Sequence, residues 1–371
     1  MTASGWKPTI QAAVAFDSDR FTVCCGELEY DDPMTAIISY DGRFPQPWSR
    51  VDVKREIVDV CYATVTDSAE PIALALSNEG DVYTLLEGRT ERSKIPGAGV
   101  LSSDAEGLGA VHTLVLEGST QFVIGNSRQI YRRNNGAAWE RLSADSSRAD
   151  GYEAEHFGKA ISTGDGRLLI EGVQRPYSPP TAAQLDPTAW KSVSPEQFLR
   201  MMQQQRAQRT TRKRIQRLYM YSSGDLSQVS IPDDSDIRGL YLDPLKRVWL
   251  TGVSGLILRG HPDTGFERLG FHGDVETLFS AAWFDDALIL ATDDGLRRFD
   301  GHKLTVVKPT LNSPLTNRNV PVPLKIQVFD DTLMYFDAKH GVCRWDGETW
   351  QWFEIPPELL ERNFGGLPAR P

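Results

Sequence analysis

Short runs of alternating apolar and polar residues recur along the chain, separated by tight-turn sequences that contain Gly or Asp-Gly. The clearest example is 332–356, where an apolar run, a turn at Gly341, a second run, a turn at 346–347 and a third, tryptophan-rich run follow one another. Period-two alternation bounded by such turns indicates antiparallel β-strands joined as hairpins. Another apolar run precedes this segment at 324–329. The pattern therefore predicts four strands per unit.

The four-strand unit repeats about every 44 residues. The glycines of the turn after each third strand are Gly42, Gly88, Gly136, Gly224, Gly265, Gly301 and Gly347. They lie 36 to 48 residues apart, except for one interval of 88. A repeat of this length is typical of propellers and other repeat architectures. Seven units result, at approximately 9–53, 56–96, 107–142, 155–232, 236–270, 274–309 and 322–356.

The long interval is explained by an insertion within the fourth unit, at 176–213. This segment is rich in proline and then reads SPEQFLRMMQQQRAQ, without period-two alternation. Ser194 is typical of a helix N-cap, with Pro195 as the first helical residue and Gln197 as its capping-box partner. We therefore predict a Pro-rich, helical arm between the second and third strands of that unit.

A four-stranded antiparallel sheet has two apolar faces, and stacking twisted copies face to face in a ring buries both. We therefore predict one all-β domain over 1–371, a seven-bladed β-propeller with one helical insertion. The segments GVCRWDGETW (341–350) and, less closely, QIYRRNNGAAW (129–139) resemble the Ycf48-like and two-component-regulator-type repeats of the β-propeller superfamily. This resemblance concerns the fold and is a poor guide to function.

Composition narrows the class of protein. Apolar residues make up 40% of the chain, which is a globular value, and the net charge of −10 repels nucleic acid and anionic membranes from the molecule as a whole. The four cysteines have no Cys-x-x-Cys spacing, so we expect reduced thiols. No apolar run has the length of a signal peptide or a membrane span. We expect a cytoplasmic protein that is a monomer when free.

The turns between the first and second strands are acidic in every unit. Their carboxylates are Asp17, Asp19, Asp67, Glu117, Asp165, Asp243, Asp285, Asp286, Asp330 and Asp331. In a propeller these turns share one face. Two explanations are open: Asp suits tight turns because its side chain bonds to nearby backbone, or the ring of carboxylates attracts a cationic partner or a metal ion.

The predicted arm has the opposite charge. No acid occurs between Glu196 and Asp225. The seven basic residues in that interval are Arg200, Arg206, Arg209, Arg212, Lys213, Arg214 and Arg217. The rest of the chain therefore carries seventeen excess negative charges, the ten of the whole molecule plus the seven that the arm offsets. The arm either braces its own propeller or binds a partner. Trp190, outside any blade, is a rim anchor or a contact residue.

Recognisable catalytic patterns are missing from the sequence. The six histidines have no metal-ligand spacing, and there is no nucleophile elbow, Walker A or Rossmann glycine pattern. We predict no cofactor, although the resemblance to propellers leaves open Ca²⁺ and a metal-dependent hydrolase or lactonase that acts in the central channel.

The leading functional hypothesis is a non-catalytic propeller that binds another protein through one face and the arm. Its sharpest form is an immunity or inhibitor protein that neutralises a basic toxin effector such as a nuclease, since opposite charges speed association. A scaffold or assembly chaperone is the alternative of the same class. Binding of nucleic acid through Arg209, Arg212, Lys213 and Arg214 is a further hypothesis, but the acidic remainder of the chain argues against it.

Overall fold

The fold is described from a computed structural model of the chain. The described residues are 8–27, 33–64, 70–86, 89–134, 136–149, 151–177, 213–269, 276–293, 295–307, 323–338 and 341–361.

The strands form seven sheets of four, which we call blades 1 to 7. Blade 1 has β1 (Thr9–Asp17), β2 (Arg20–Gly26), β3 (Thr35–Asp41) and β4 (Trp48–Val53). Blade 2 has β5 (Ile57–Thr64), β6 (Pro71–Ser77), β7 (Asp81–Leu86) and β8 (Arg89–Lys94). Blade 3 has β9 (Val111–Glu117), β10 (Thr120–Gly125), β11 (Ile130–Asn134) and β12 (Glu140–Ser143). Blade 4 has β13 (His156–Ser162), β14 (Leu168–Gln174), β15 (Ile215–Ser222) and β16 (Asp225–Val229). Blade 5 has β17 (Ile237–Leu242), β18 (Val248–Gly252), β19 (Ile257–His261) and β20 (Gly265–Arg268). Blade 6 has β21 (Leu278–Phe284), β22 (Ala287–Thr292), β23 (Gly295–Phe299) and β24 (Leu304–Val307). Blade 7 has β25 (Pro323–Phe329), β26 (Thr332–Asp337), β27 (Gly341–Trp345) and β28 (Trp350–Phe353).

Each blade is an antiparallel meander whose strands pair in chain order. The prediction of an all-β, seven-bladed propeller of four-stranded blades is confirmed. Within the described ranges the helical structure is limited to two short 3₁₀ segments, Val253–Gly255 and Pro357–Leu360. Neither has the length and apolar character that a membrane span requires. The predicted helix in the arm falls within 178–212, which lies outside the described residues.

The first strands of the blades line a central channel and contact one another in cyclic order, β25 against β1 included. Buried apolar side chains form one cluster at each of the seven junctions between neighbouring blades. The four cysteines form no disulfide, as predicted, and three of them are buried in these clusters. Burial of both faces of every sheet is therefore achieved by closure of the ring.

No strand is shared across the seam between blades 7 and 1, because each of these blades takes all four strands from one end of the chain. The Phe21 ring lies 4.9 Å from that of Phe353, centroid to centroid. The Ile10 amide donates to the Ala338 carbonyl at 3.0 Å. The seam is thus a compact apolar contact with a few hydrogen bonds.

Chain direction assigns every connection to one of two faces. The turns between the first and second strands, and between the third and fourth, lie on what we call the turn face. The loops between the second and third strands, and between blades, lie on the opposite face. The arm leaves blade 4 after Gln174 and returns at Ile215, so we call this second side the arm face.

All seven inner strands carry a β-bulge near their first residues, at the arm-face end of the channel. The bulged residues are Gln11, Val58, His112, Gly158, Arg238, Phe279 and Leu324. All seven are partly exposed. A bulge bends the strand and redirects a side chain, and its repetition here forms a ring around the channel mouth.

Candidate protein-binding surfaces

Nine carboxylates of the predicted acidic ring lie within the described residues, and five of them pair with an arginine. Asp17 pairs with Arg20 at 2.6 Å, and Asp165 pairs with Arg167 at 2.7 Å. The hydrogen bond from Arg167 lowers the pKa of Asp165 to about 2. These contacts reduce the negative potential of the ring.

Two further members of the ring bond to groups that are distant in sequence or buried. Asp19 pairs with Arg344 across the seam. Asp243 is buried and accepts hydrogen bonds from Trp249 Nε1 at 2.9 Å and Arg247 Nε at 2.7 Å. Burial acts to raise the pKa of Asp243, but these hydrogen bonds hold it below its usual value. Its carboxylate therefore fixes a turn.

The sector formed by blades 5 to 7 is different. Asp285 pairs with Arg298 at 2.9 Å, and Asp331 accepts a bond from the Thr332 hydroxyl at 3.3 Å. Asp286 and Asp330 are exposed and form no ion pair or hydrogen bond with any described residue. Both, like Asp285, have a positive φ, between 48° and 56°, which Asp tolerates in tight hairpin turns. The tight turns explain why these positions are occupied by Asp. Because Asp286 and Asp330 form no ion pair with a described residue, their negative charges are available to a ligand.

These carboxylates border an aromatic cleft, which we call the turn-face cleft. It encloses about 400 Å³ and is lined by Tyr241, Pro244, Trp283, Phe284, Asp285, Asp286, Val328 and Asp330. The Tyr241 hydroxyl accepts the Trp283 amide at 2.8 Å, which fixes one aromatic wall against the other. The cleft thus combines aromatic walls with an anionic rim, an arrangement that suits a cation.

A guanidinium already stacks on one wall of this cleft. The Arg247 guanidinium carbon lies 5.4 Å from the centre of the Trp283 ring. It also lies 5.7 Å from the Trp249 ring. The indole of Trp283 therefore already makes a cation–π contact within the protein.

On the arm face, the described end of the arm is bonded to its own blade. Arg214 pairs with the buried Glu171 at 3.2 Å and with Asp236 at 3.8 Å. Lys213 is exposed, and its carbonyl accepts a bond from Tyr152 at 3.4 Å. The predicted basic residue Arg214 is thus part of an internal ion-pair network.

A second buried carboxylate anchors the same region. Glu155 accepts a hydrogen bond from the Tyr219 hydroxyl at 2.8 Å and pairs with Arg217 at 3.0 Å. Arg217 also donates to Gln174 at 2.7 Å. Because Gln174 and Arg217 flank the arm, the network fixes the points at which the arm leaves and rejoins blade 4.

Several predicted site residues lie outside the described residues. They are Trp190, Arg200, Arg206, Arg209 and Arg212 of the arm and Asp67 of the acidic ring.

The central channel contains charged groups that the apolar character of the inner strands did not lead us to expect. Asp59, beside a bulge, accepts the amides of Val60 and Leu114 at 2.9 and 2.8 Å. Burial raises the pKa of Asp59, although Lys325 acts to lower it. Among the described residues no group of three or more His, Cys, Asp or Glu could hold a metal ion.

The structure resembles solved β-propellers at low sequence identity. The extracellular domain of the hybrid two-component system BT4673 from B. thetaiotaomicron matches with a TM-score of 0.55 and 15% identity over 93% of this chain. The WD40 propeller domain of Doa1 matches with 0.55 and 12%, over 93% of this chain and 95% of that one. Sqt1 from Chaetomium thermophilum, bound to the N-terminus of ribosomal protein L10, matches with 0.53 and 11%, over 92% and 86%. These likenesses establish the fold.

The chain spans only 38% of the length of the BT4673 domain. No protein-family model matches the sequence, and no curated protein matches it.

Sequence reasoning located the acidic turns and missed the cleft between them. Tyr241 and Trp283 are 42 positions apart on neighbouring inner strands, and their contact follows from ring geometry. The one available signal was the repeated Phe-Asp-Asp turn at 284–286 and 329–331, with Trp283 before the first of the two.

Proposed function

We propose that this protein is a non-catalytic, protein-binding propeller that takes a basic segment of its partner at the turn-face cleft. The observation that carries the proposal is the combination of Asp286 and Asp330, which lack a cationic partner among the described residues, with the aromatic walls of Tyr241 and Trp283. The other described carboxylates of the acidic ring make contacts within the protein.

The chemistry of the cleft favours a cationic side chain. A guanidinium or ammonium between Asp286 and Asp330 gains Coulomb energy at the protein surface, where each exposed pair contributes about 0.2–1 kcal/mol. Stacking on an aromatic ring of the cleft adds about 0.5–1 kcal/mol at an exposed site. Because the cleft is pre-formed by a hydrogen bond between its walls, little ordering entropy opposes binding.

Sqt1, which shares the fold and is bound to the N-terminus of a ribosomal protein, is an example of a propeller that receives a protein segment. The sharper form of the proposal is an immunity protein in the cytoplasm whose partner is a basic toxin such as a nuclease. Its support is charge complementarity between the turn face and such a partner. If the protein is instead an assembly chaperone, a basic client protein would bind the cleft through the same charge complementarity.

The test uses fluorescence anisotropy with a labelled Arg- and Lys-rich decapeptide. The double variant Asp286→Asn/Asp330→Asn removes the two free carboxylates. The control Asp225→Asn/Asp233→Asn removes two other exposed carboxylates from blade 4 and the loop after it. We expect the cleft variant to bind about tenfold more weakly, from two pairs of up to 1 kcal/mol each, and the control to bind like the unaltered protein. If both variants bound the peptide equally weakly, net charge alone would explain the binding, and a specific site at the cleft would be refuted.

The immunity form has a separate test. Affinity purification from the native host should recover one dominant basic polypeptide with the unaltered protein, and much less of it with Asp286→Asn/Asp330→Asn. If the recovered partner is a nuclease, the purified propeller should abolish its activity. A partner that stays active in the complex would refute neutralisation and leave cleft binding in place.

A further inference from the structure

The arm-face mouth of the channel is cationic, in contrast to the molecule as a whole. Lys159 follows the bulge of β13, and Arg238 occupies the bulge of the next inner strand. Arg175 and Arg214 stand at the two ends of the arm, and Arg238 and Arg175 both lie near enough to Arg214 to act on its pKa. Two carboxylates, Glu171 and Asp236, are the acidic groups that these cations contact.

Both carboxylates are already shared. Asp236 pairs with Arg238 at 3.3 Å and with Arg214 at 3.8 Å. Glu171 is buried and accepts bonds from Arg214 and from the Gln216 amide. Two carboxylates are therefore shared among the cations of the mouth, since Lys159 also lies opposite Glu171 in the β13–β14 pair and acts on its pKa.

Lys159 and Arg175 form no salt bridge with a carboxylate of the described residues, although Glu171 and Asp59 act to raise the pKa of Lys159, which burial lowers. The Lys159 ammonium donates to the Arg238 carbonyl, a neutral acceptor, and remains exposed within the channel mouth. Arg175 is exposed where the arm leaves blade 4, beside the buried Gln174. The mouth thus carries an excess of two positive charges over these acids.

The pKa values of two neighbouring groups, His156 and Arg214, are lowered. Burial and the nearby Arg175 lower the pKa of His156 to about 4. Burial also lowers the pKa of Arg214, and Arg238 and Arg175 act in the same direction. Burial is the largest cause of both changes, and the neighbouring cations add to it, while Glu171 and Asp236 act to raise the pKa of Arg214.

We propose that the arm-face mouth of the channel binds an anionic group, a phosphate or a pair of carboxylates, held by Lys159 and Arg175 with Arg238 beside them. Arginine and lysine are the side chains that bind these groups, through charge-assisted hydrogen bonds. The anion supplies the negative charge that the shared carboxylates Glu171 and Asp236 do not.

This site is independent of the turn-face cleft, because it lies on the opposite face and recognises the opposite charge. A partner with basic and acidic segments could engage both faces, and a small anion could occupy the mouth alone. Loss of one site leaves the other intact.

The experiment is isothermal titration of the full chain with inorganic phosphate and, separately, with tetraglutamate, each against sodium chloride at equal ionic strength. The variant Lys159→Gln/Arg175→Gln removes the two cations and breaks no ion pair of the described residues. The control Lys246→Gln/Lys303→Gln removes two exposed cations from the turn face. Circular dichroism verifies that each variant is folded.

We expect at least one of the two anions to bind the unaltered protein and the control equally, and to bind the mouth variant about tenfold more weakly. A preference for phosphate or for tetraglutamate identifies the group that the site takes. Binding should also raise the pKa of His156 in an NMR titration. Equal affinity for the mouth variant, or no binding of either anion beyond the sodium chloride reference, would overturn the proposal. Neither result would alter binding of the basic peptide at the turn-face cleft.

Discussion

Because the ring closes at the seam by packing around Phe21, we predict that the substitution Phe21→Ala destabilises the protein. Phe21 is fully buried, and its ring packs against Phe353 at 4.9 Å, Tyr40 at 5.1 Å and Trp48 at 5.8 Å. The contact with Phe353 joins blade 1 to blade 7, which share no strand, while Tyr40 and Trp48 belong to blade 1 itself. Truncation to alanine leaves a cavity in the packing that holds the ring shut.

The expected cost follows from burial. Replacement of a buried phenylalanine by alanine destabilises a protein by about 3–5 kcal/mol. With an unfolding entropy of roughly 2.1 cal/mol/K per residue, about 4 kcal/mol corresponds to a fall in Tm of about 5 °C for a chain of 371 residues. We expect this fall in calorimetry at neutral pH.

Phe157→Ala is the matched control. Phe157 is also fully buried, but between blades 3 and 4, with Tyr219 5.6 Å away. Both variants should lose similar stability. In hydrogen exchange, Phe21→Ala should accelerate exchange in blades 1 and 7, and Phe157→Ala in blades 3 and 4. If Phe21→Ala lowers Tm by less than about 1 °C while the control falls as expected, the seam is not closed by this packing.

Two further predictions concern buried polar groups. The pKa of His156, about 4 in the folded protein, lies below its unfolded value of about 6.5. As pH falls, His156 is therefore protonated in the unfolded chain before it is protonated in the folded protein. This favours the unfolded state, so the stability contribution that is complete above about pH 6.5 is lost as pH falls towards 4. His156→Gln should show a smaller fall in Tm between pH 7 and 5 than the unaltered protein, and an NMR pKa near 6.5 for His156 would contradict the reasoning. Glu79 is buried and accepts the amides of Leu101 at 2.8 Å and Ser102 at 3.1 Å, so Glu79→Ala should cost about 2 kcal/mol and accelerate amide exchange at 100–102. Unchanged exchange there would show that the carboxylate does not hold the loop.

The repeat of alternating strands and glycine turns was sufficient to predict the seven blades, because each blade is a local meander with no strand supplied from elsewhere. The bulges were not predictable in the same way. One extra residue at Val58 or Arg238 changes the register without altering the apolar composition of the strand. The charged groups that bulges bring to the channel, such as Asp59, were therefore missed.

The acidic turns were located correctly in the sequence, but their electrostatic state depends on residues that meet only in the folded ring. Asp19 and Arg344 pair across the seam although 325 positions separate them. Asp286 and Asp330 lack such a partner among the described residues. Sequence spacing alone could not distinguish these two situations, so both explanations of the acidic turns stayed open.

Photo-crosslinking tests the location of binding on the turn face most directly. A photoreactive amino acid is placed at Leu245, which is 70% exposed beside Pro244 of the cleft, or at Leu101, which is 83% exposed on the arm face. We predict that the basic decapeptide crosslinks from position 245 and not from position 101, and that Asp286→Asn/Asp330→Asn abolishes most of the product. Crosslinking from position 101 alone, or equally from both positions, would contradict binding at the turn-face cleft.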